Sequence, residues 1–287
     1  MLIVTGATGR LGSLILDRLL ERVPAEKVGI SVRDVTRAAA LAERGVRVRA
    51  GDFTEPDTLK LAFEGAERVL VISASIRGEA ATAANIAAID AARAAGARRV
   101  LYTSHQAASP ASLFAPQPVH AATEEHLRRL GIPYTALRNG FYASTLELFL
   151  EAAIETGRLA APLDGPVSWT SHEDLAEAAV LALTEDGVFD GVTPPLTAPR
   201  TLDFAGVAAI LSRITGRTIE RVVMEDEEWV AAMVADGMPR PAAAFLLTMF
   251  LASRKGEFDV TSPALESALG RPARSVEEVL EAAVRSR

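Results

Sequence analysis

Leu2-Ile3-Val4 opens the chain as a short apolar run, too β-branched and too brief for a helix, and reads as a buried strand. A glycine-rich turn follows, after which Leu11, Leu14, Ile15, Leu19 and Leu20 recur at helical spacing. Lys27 to Val32 reads as a second strand and Val46-Arg47-Val48 as a short third, ended by Gly51. Asp57 is placed to cap a helix that runs into Phe63 and stops at Gly65. Val69 to Ile72 is a continuous apolar strand, and the alanine-rich stretch from Glu79 to Ala95 is a helix closed by Gly96. Val100-Leu101-Tyr102 is the fifth strand, His120 to Leu130 a helix stopped by Gly131, and Tyr134 to Leu137 a strand again.

Strand and helix thus alternate six times, and the strands are apolar throughout. This predicts the α/β class, with a parallel sheet covered by helices on both faces. Right-handed crossovers make that sheet doubly wound and Rossmann-like. Past Gly140 the rhythm changes. Tyr142 to Thr156 reads as a helix, Asp164-Gly165-Pro166 as a turn, and Ser171-x-x-Asp174 resembles a capping box before another helix. Thr201 is placed to cap a helix ending near Gly216, Thr218 to Met224 is a strand, and three more helical stretches finish the chain. The expectation is a Rossmann-like domain over residues 1–200 and a smaller α/β lobe over 201–287 that covers the substrate, with residues 142–165 contributing to the lobe.

Composition narrows the chemistry. The chain has 287 residues, 49% hydrophobic and 23% charged, which is ordinary for a folded globular protein with a full core. With no cysteine, disulfide scaffolds, thiolate nucleophiles and cysteine-ligated zinc are excluded. A net charge of −7 offers no basic footprint for nucleic acid. No apolar run approaches the roughly 20 residues of a membrane span, and Met1 leads into the first strand without a charged leader. The expectation is a cytoplasmic protein with neither nucleic acid nor membrane as partner.

Thr5-Gly6-Ala7-Thr8-Gly9-Arg10-Leu11-Gly12 lies between the first strand and the first helix. Glycines three apart permit a tight turn, close approach to a pyrophosphate, and close helix–strand packing. The helix start then offers free amides and a positive dipole end to the phosphates. An acidic residue ending the second strand suits the ribose of NAD, whereas a cation suits the extra phosphate of NADP. Here the strand ends Val32-Arg33-Asp34. Arg33 arrives first and Arg10 can add a second guanidinium, so NADP(H) is favoured over NAD(H), although Asp34 argues the other way. Asp52 can accept the adenine amino group, with Phe53 packed on that ring, or it can start the following helix. Ser73-Ala74-Ser75 ends the fourth strand, and such small residues let the nicotinamide half approach.

These motifs, with Tyr102-Thr-Ser104, His120-Ala-Ala-Thr-Glu124, Leu137-Arg-Asn-Gly-Phe-Tyr142 and the tail Leu269-Gly-Arg-Pro272, resemble the NmrA-like group of atypical short-chain dehydrogenases over nearly the whole chain. The resemblance implies an NADPH-binding domain, a smaller carboxyl-terminal lobe and a quinone between them. It implies that Gly6 to Leu11 and Arg33 hold phosphates, that Ser73 to Ser75 line the cofactor, and that Asn139, Gly140, Phe141 and Tyr142 border the nicotinamide and substrate. Relatives often carry a lysine after the Thr-Glu pair to bond the nicotinamide ribose, and here Glu125 stands in its place. The group also includes non-enzymatic dinucleotide sensors, which is the alternative reading.

Ordinary short-chain dehydrogenases use Tyr-x-x-x-Lys to protonate an alkoxide. Tyr102, Tyr134 and Tyr142 are followed four residues later by Gln106, Arg138 and Leu146, and none of Lys27, Lys60 and Lys255 is so placed. Losing a positioned acid costs on the order of 10²–10⁴ in rate for a simple ketone. A hydroquinone oxygen resembles a phenol, with pKa about 10, and its anion can be protonated later by water. The missing pair therefore disfavours ketones and leaves quinones as acceptors.

The remaining candidates are polar groups near the same strand ends. Ser104 stands where a catalytic serine would orient a carbonyl, His105 can donate to a quinone oxygen, and Asn139 can bond the carboxamide, although Asn-Gly is also a common turn. His120 and His126 are six apart, the wrong spacing for ligands on one helix face, so no metal is expected. Pro241 to Leu251 is an apolar stretch for core, a quinone wall or a homodimer seam.

Overall fold

A computed structural model describes residues 1–286 and opens with β1 (Leu2–Thr5), α1 (Arg10–Arg22), β2 (Val28–Val32), α2 (Ala39–Glu43) and β3 (Arg47–Ala50). There follow α3 (Pro56–Ala62), β4 (Arg68–Val71), α4 (Glu79–Ala94), β5 (Arg99–His105), α5 (Pro116–Arg128) and β6 (Tyr134–Asn139). The chain continues through β7 (Phe141–Tyr142), α6 (Glu147–Thr156), β8 (Arg158–Pro162), β9 (Trp169–Thr170), α7 (His172–Thr184) and β10 (Gly191–Val192). It ends with α8 (Phe204–Thr215), β11 (Glu220–Met224), α9 (Asp226–Ala235), α10 (Arg240–Ser253), α11 (Ala264–Leu269) and α12 (Val276–Arg285).

The main sheet has seven strands in the order β10-β6-β5-β4-β1-β2-β3, every neighbouring pair parallel. Ile3 and Val4 show why the strands are apolar at every position. Ile3 packs with Leu59, Phe63, Ile89 and Leu127 from α3, α4 and α5, whereas Val4 packs with Leu11, Ile15 and Leu175 from α1 and α7. Successive side chains point to opposite faces, so a sheet covered on both sides needs no polar positions. The predicted α/β class and doubly wound topology are observed. The winding reverses between β1 and β4, and a ligand crevice forms outside the carboxyl ends of strands at such a point.

A second core lies beyond those strand ends. Phe141, Phe149, Trp169, Phe204, Phe250 and Phe258 form it, joined by Leu146 and Leu159. Two short parallel pairs, β8 with β11 and β7 with β9, brace this lobe.

Several predicted element ends move. Asp57 does not cap α3: the helix starts at Pro56, with proline at its first position and Asp57 in the first turn, where a carboxylate suits the dipole. Thr201 does not cap α8 either. Asp203 does, accepting from the Gly206 amide at 2.8 Å, while Thr201 donates to Asp259. The stretch from Tyr142 divides into β7, a short 3₁₀ turn over Ala143–Leu146, and α6. α5 starts four residues before His120, at Pro116. Ser171 does cap α7, but Asp174 turns from the helix start to Arg271 at 2.8 Å instead of completing a capping box. Four helices rather than three end the chain.

Candidate active site

The loop after β1 is shaped by its glycines. Gly6 has φ +60°, a conformation that costs other residues, and its carbonyl accepts from the Gly9 amide at 3.0 Å. A Cβ on Gly12 would stand 2.2 Å from that same carbonyl, so α1 can lie this close to the loop only through glycine. Ala7 and Leu11 are buried in the core, leaving their backbone rather than their side chains for a ligand, while Thr8, Gly9 and Arg10 are exposed. Gly9 is the N-cap of α1 and supplies no side-chain cap, and the first turn holds no acidic residue. The helix therefore presents uncapped amides and a positive dipole end at the switch point of the sheet.

Arg10 does not face that loop freely. Its guanidinium is held by both carboxylate oxygens of Glu147, at 2.8 and 2.6 Å, on the rim of a cavity of about 360 Å³. Glu147, Glu173 and Glu278 line that cavity against Arg10 and Arg274, so its charge balance disfavours a phosphate. No residue from the ends of β4, β5 or β6 lines it.

At the end of β2, Arg33 is exposed, and its charge reaches the Asp52 carboxylate. Asp34 accepts from the amide and hydroxyl of Thr36 at 3.0 and 2.6 Å, which holds its carboxyl below the usual range and places Arg37 nearby. Asp52 does the same for Thr54, at 2.8 and 2.7 Å, and Phe53 packs on the α3–α5 face of the sheet.

The segment leaving β4 is pinned by side chains from three other elements. The amide of Ile72 donates to Thr5 at 2.9 Å, that of Ser73 to Thr103 at 2.8 Å, and that of Ala74 to Asn85 at 2.9 Å. Ser75 beyond them is exposed.

β5 and β6 run side by side to their ends, with Ser104 opposite Arg138 and His105 opposite Asn139. The Ser104 hydroxyl donates to Glu124 Oε1 at 2.6 Å, and Arg138 grips the same carboxylate at 2.9 and 2.7 Å. Ser104 is thereby engaged below the crevice. His105 is ringed by Phe114, Phe141 and Phe258 at centroid distances of 5.9, 5.4 and 5.8 Å. Burial among those rings holds the imidazole neutral, well below its ordinary pKa. His120 stacks on it at 6.1 Å and is itself pushed down to about 4 by burial.

Asn139 is 2% exposed and its side-chain oxygen has no partner, while its amide hydrogen-bonds the Tyr142 hydroxyl. Gly140 is needed for packing: a Cβ there would meet Thr170 Oγ1 at 2.1 Å. Phe141 joins the ring around His105, and Tyr142 stacks on His172 at 4.2 Å.

The structure thus brings together Gly6 to Gly12, Ser73 to Ser75, His105 and Asn139 to Tyr142 around the strand ends. Glu125, by contrast, lies on the outer side of α5, 53% exposed and paired with Arg128 and Arg129. The residues that do face β5 from this helix are His120 and Glu124, one turn apart, together with Gln117. Their spacing is legible in the sequence as His-x-x-x-Glu, which the Tyr-x-x-x-Lys pattern does not cover. Asn85 was missed too, although it is a lone polar residue on the buried alanine face of α4.

Among the described residues no group of three or more His, Asp or Glu is arranged to hold a metal, and no helix is long and apolar enough to cross a membrane. A dinucleotide fits what is present: uncapped amides at α1, an exposed guanidinium just after β2, and a buried carboxamide oxygen without a donor at β6.

The sequence pattern of the NmrA-like family matches residues 1–281. Quinone oxidoreductase 2 of Escherichia coli (strain K12) is 32% identical over 97% of this chain and 96% of its own. A crystal structure of NADPH-dependent quinone oxidoreductase QOR2 from that organism, complexed with NADPH, superposes with a TM-score of 0.92 over 98% of this chain and 99% of that one, at 30% identity. NAD(P)H azoreductase of Xenophilus azovorans is 31% identical over 98% of this chain and 97% of its own. Triphenylmethane reductase of Citrobacter sp., complexed with NADP(H), gives a TM-score of 0.93 and 34% identity over 99% of this chain and 100% of that one. With the glycine loop, the doubly wound sheet and the family pattern running together along nearly its whole length, the chain belongs to the NmrA-like family.

Proposed function

We propose that this protein is an NADPH-dependent oxidoreductase that reduces a quinone or a similarly electron-poor acceptor in the crevice between the ends of β4, β5 and β6 and the aromatic lobe. The observation that carries this reading is His105, a neutral imidazole among Phe114, Phe141 and Phe258 whose Nε2 has no partner among the described residues. When bound, NADPH supplies the hydride.

The chain's own residues then bind, orient and exclude water. The amides at the start of α1 take the pyrophosphate. Arg33 takes the 2′-phosphate, with Arg37 near it, while Asp34 Oδ1 is engaged by Thr36. Asn139 Oδ1 accepts from the carboxamide amine, which ends its isolation. Phe114, Phe141 and Phe258 pack on one another behind the imidazole and keep water from its back. His105 donates a hydrogen bond to the acceptor oxygen that gains charge as hydride arrives. That oxygen becomes a phenolate with pKa about 10 for its acid, so water can complete the protonation without a tyrosine–lysine pair. Residues 1–200 hold the cofactor in this reading, and residues 201–287 with 142–165 cover the acceptor, as the shared packing of Phe149, Leu159, Phe204 and Phe250 supports.

The test is consumption of NADPH by the purified protein with a series of quinones, beside calorimetric titration with NADPH alone. Turnover with at least one quinone is expected. Tight NADPH binding with no turnover of any acceptor would overturn the enzyme reading in favour of a dinucleotide sensor.

A further inference from the structure

Gln117 sits in the first turn of α5 and is fully buried, at 0% exposure. Its Nε2 meets His105 Nδ1, and its Oε1 has no hydrogen-bond partner. As packing this is a poor choice, since a leucine would fill similar space without stranding a carbonyl away from water. The side chain is therefore placed for what its amide does to the imidazole.

Two donors converge on the same ring atom. The backbone amide of Ala107 points at His105 Nδ1 from 3.4 Å, and a backbone N–H is always a donor. Nδ1 must then carry the lone pair, and a neutral imidazole has its one proton on the other nitrogen. That assignment also orients Gln117: its NH₂, not its carbonyl, faces the ring. Both hydrogen bonds of the ring are made at Nδ1, which leaves Nε2 without a partner among the described residues, and the ring itself packs beside Phe114, Phe141 and Phe258. The titratable group packed against the ring is His120, also on α5, stacked at 6.1 Å.

We infer that Gln117 is a positioning residue: together with the Ala107 amide it locks His105 in the Nε2–H tautomer, so that a donor rather than a lone pair faces the acceptor site. The inference rests on the proposed role of His105 and adds the group that makes that role possible. In the opposite tautomer a lone pair would meet the oxygen as it gains negative charge, repelling the product-like state instead of stabilising it. Gln117 touches neither substrate nor cofactor and acts through the ring.

The experiment uses full-length protein labelled with ¹⁵N at histidine, whose ring nitrogens report lone-pair or protonated character in long-range ¹H–¹⁵N spectra. The His105 signals are assigned by their loss in His105→Asn. Wild type is expected to show a lone-pair Nδ1 and a protonated Nε2, a reading that needs no variant of Gln117 to fold. Gln117→Glu puts an acceptor against Nδ1 and is expected to protonate that nitrogen. It should also lower kcat for quinone by about tenfold or more while leaving KM for NADPH nearly unchanged.

A protonated Nδ1 in the neutral wild-type ring overturns the inference. So does a Gln117→Glu protein whose ring signals or kcat stay as in wild type. If the tautomer is as stated and shifts in Gln117→Glu, yet wild type reduces no quinone, the lock stands and the proposed function fails.

Discussion

The hydroxyl of Ser104 donates to Glu124 Oε1 at 2.6 Å, from the penultimate residue of β5 to the buried face of α5. Glu124 is 1% exposed on its side chain and answers to Arg138 with both oxygens. A carboxylate in such a place is tolerable only while every partner is present. Glu124→Gln is expected to destabilise the fold by about 2–3 kcal/mol, discounted because Arg138 is partly exposed. Urea unfolding with an unchanged slope is the measurement. Ser104→Ala should lose about 1–2 kcal/mol by the same assay, an effect larger in stability than in kcat.

The two outer glycines of the loop should respond differently. Gly12→Ala places a methyl 2.2 Å from the Gly6 carbonyl and must push α1 off the loop. It is expected to cost about 3 kcal/mol of stability and to abolish dinucleotide binding. Gly6→Ala must adopt φ +60°, with Ile72 Cβ at 3.3 Å, and is expected to cost about 1–2 kcal/mol. Thermal unfolding and calorimetric titration of both variants with NADPH give the comparison.

Arg33 carries the nucleotide preference in the proposed function. Arg33→Ala is expected to weaken NADPH binding by about tenfold to a hundredfold and to leave NADH binding nearly as it was. Titrations with the two nucleotides at one ionic strength decide it. Equal loss for both would move the 2′-phosphate site elsewhere.

Buried histidines set an acid limit. His120 and His172 are pushed down to about 4 from 6.5, in both cases chiefly by burial, and burial lowers His105 well below its ordinary value too. Their folded-state pKa lies below the unfolded value, so the unfolded chain takes up protons first as pH falls. Their contribution to stability is whole above about pH 6.5 and is lost progressively toward pH 4. The melting temperature should therefore drop between these limits, and His120→Gln should flatten part of the slope.

Much of the site was legible locally. The glycine spacing is a short-range pattern, and the tight turn it predicts is the one Gly6, Gly9 and Gly12 make. Partnerships across the sheet were not. Arg10 and Glu147 stand 137 positions apart, and neither residue announces the other. The same is true of His105 and Gln117: glutamine at a helix start is ordinary until the helix is laid against β5.

By itself the sequence determined the alternation of strands and helices, the parallel doubly wound sheet and the place of the glycine-rich loop, because hydrophobic period and backbone freedom are properties of neighbouring residues. Only the tertiary structure decided which side chains were free and which were spoken for. Ser104 and Arg10 are taken by Glu124 and Glu147, and His105 Nδ1 by Gln117, while the oxygen of Asn139 is left open. Hydrogen-bond capacity is local chemistry, but whether it is already used depends on what folding brings within 3 Å.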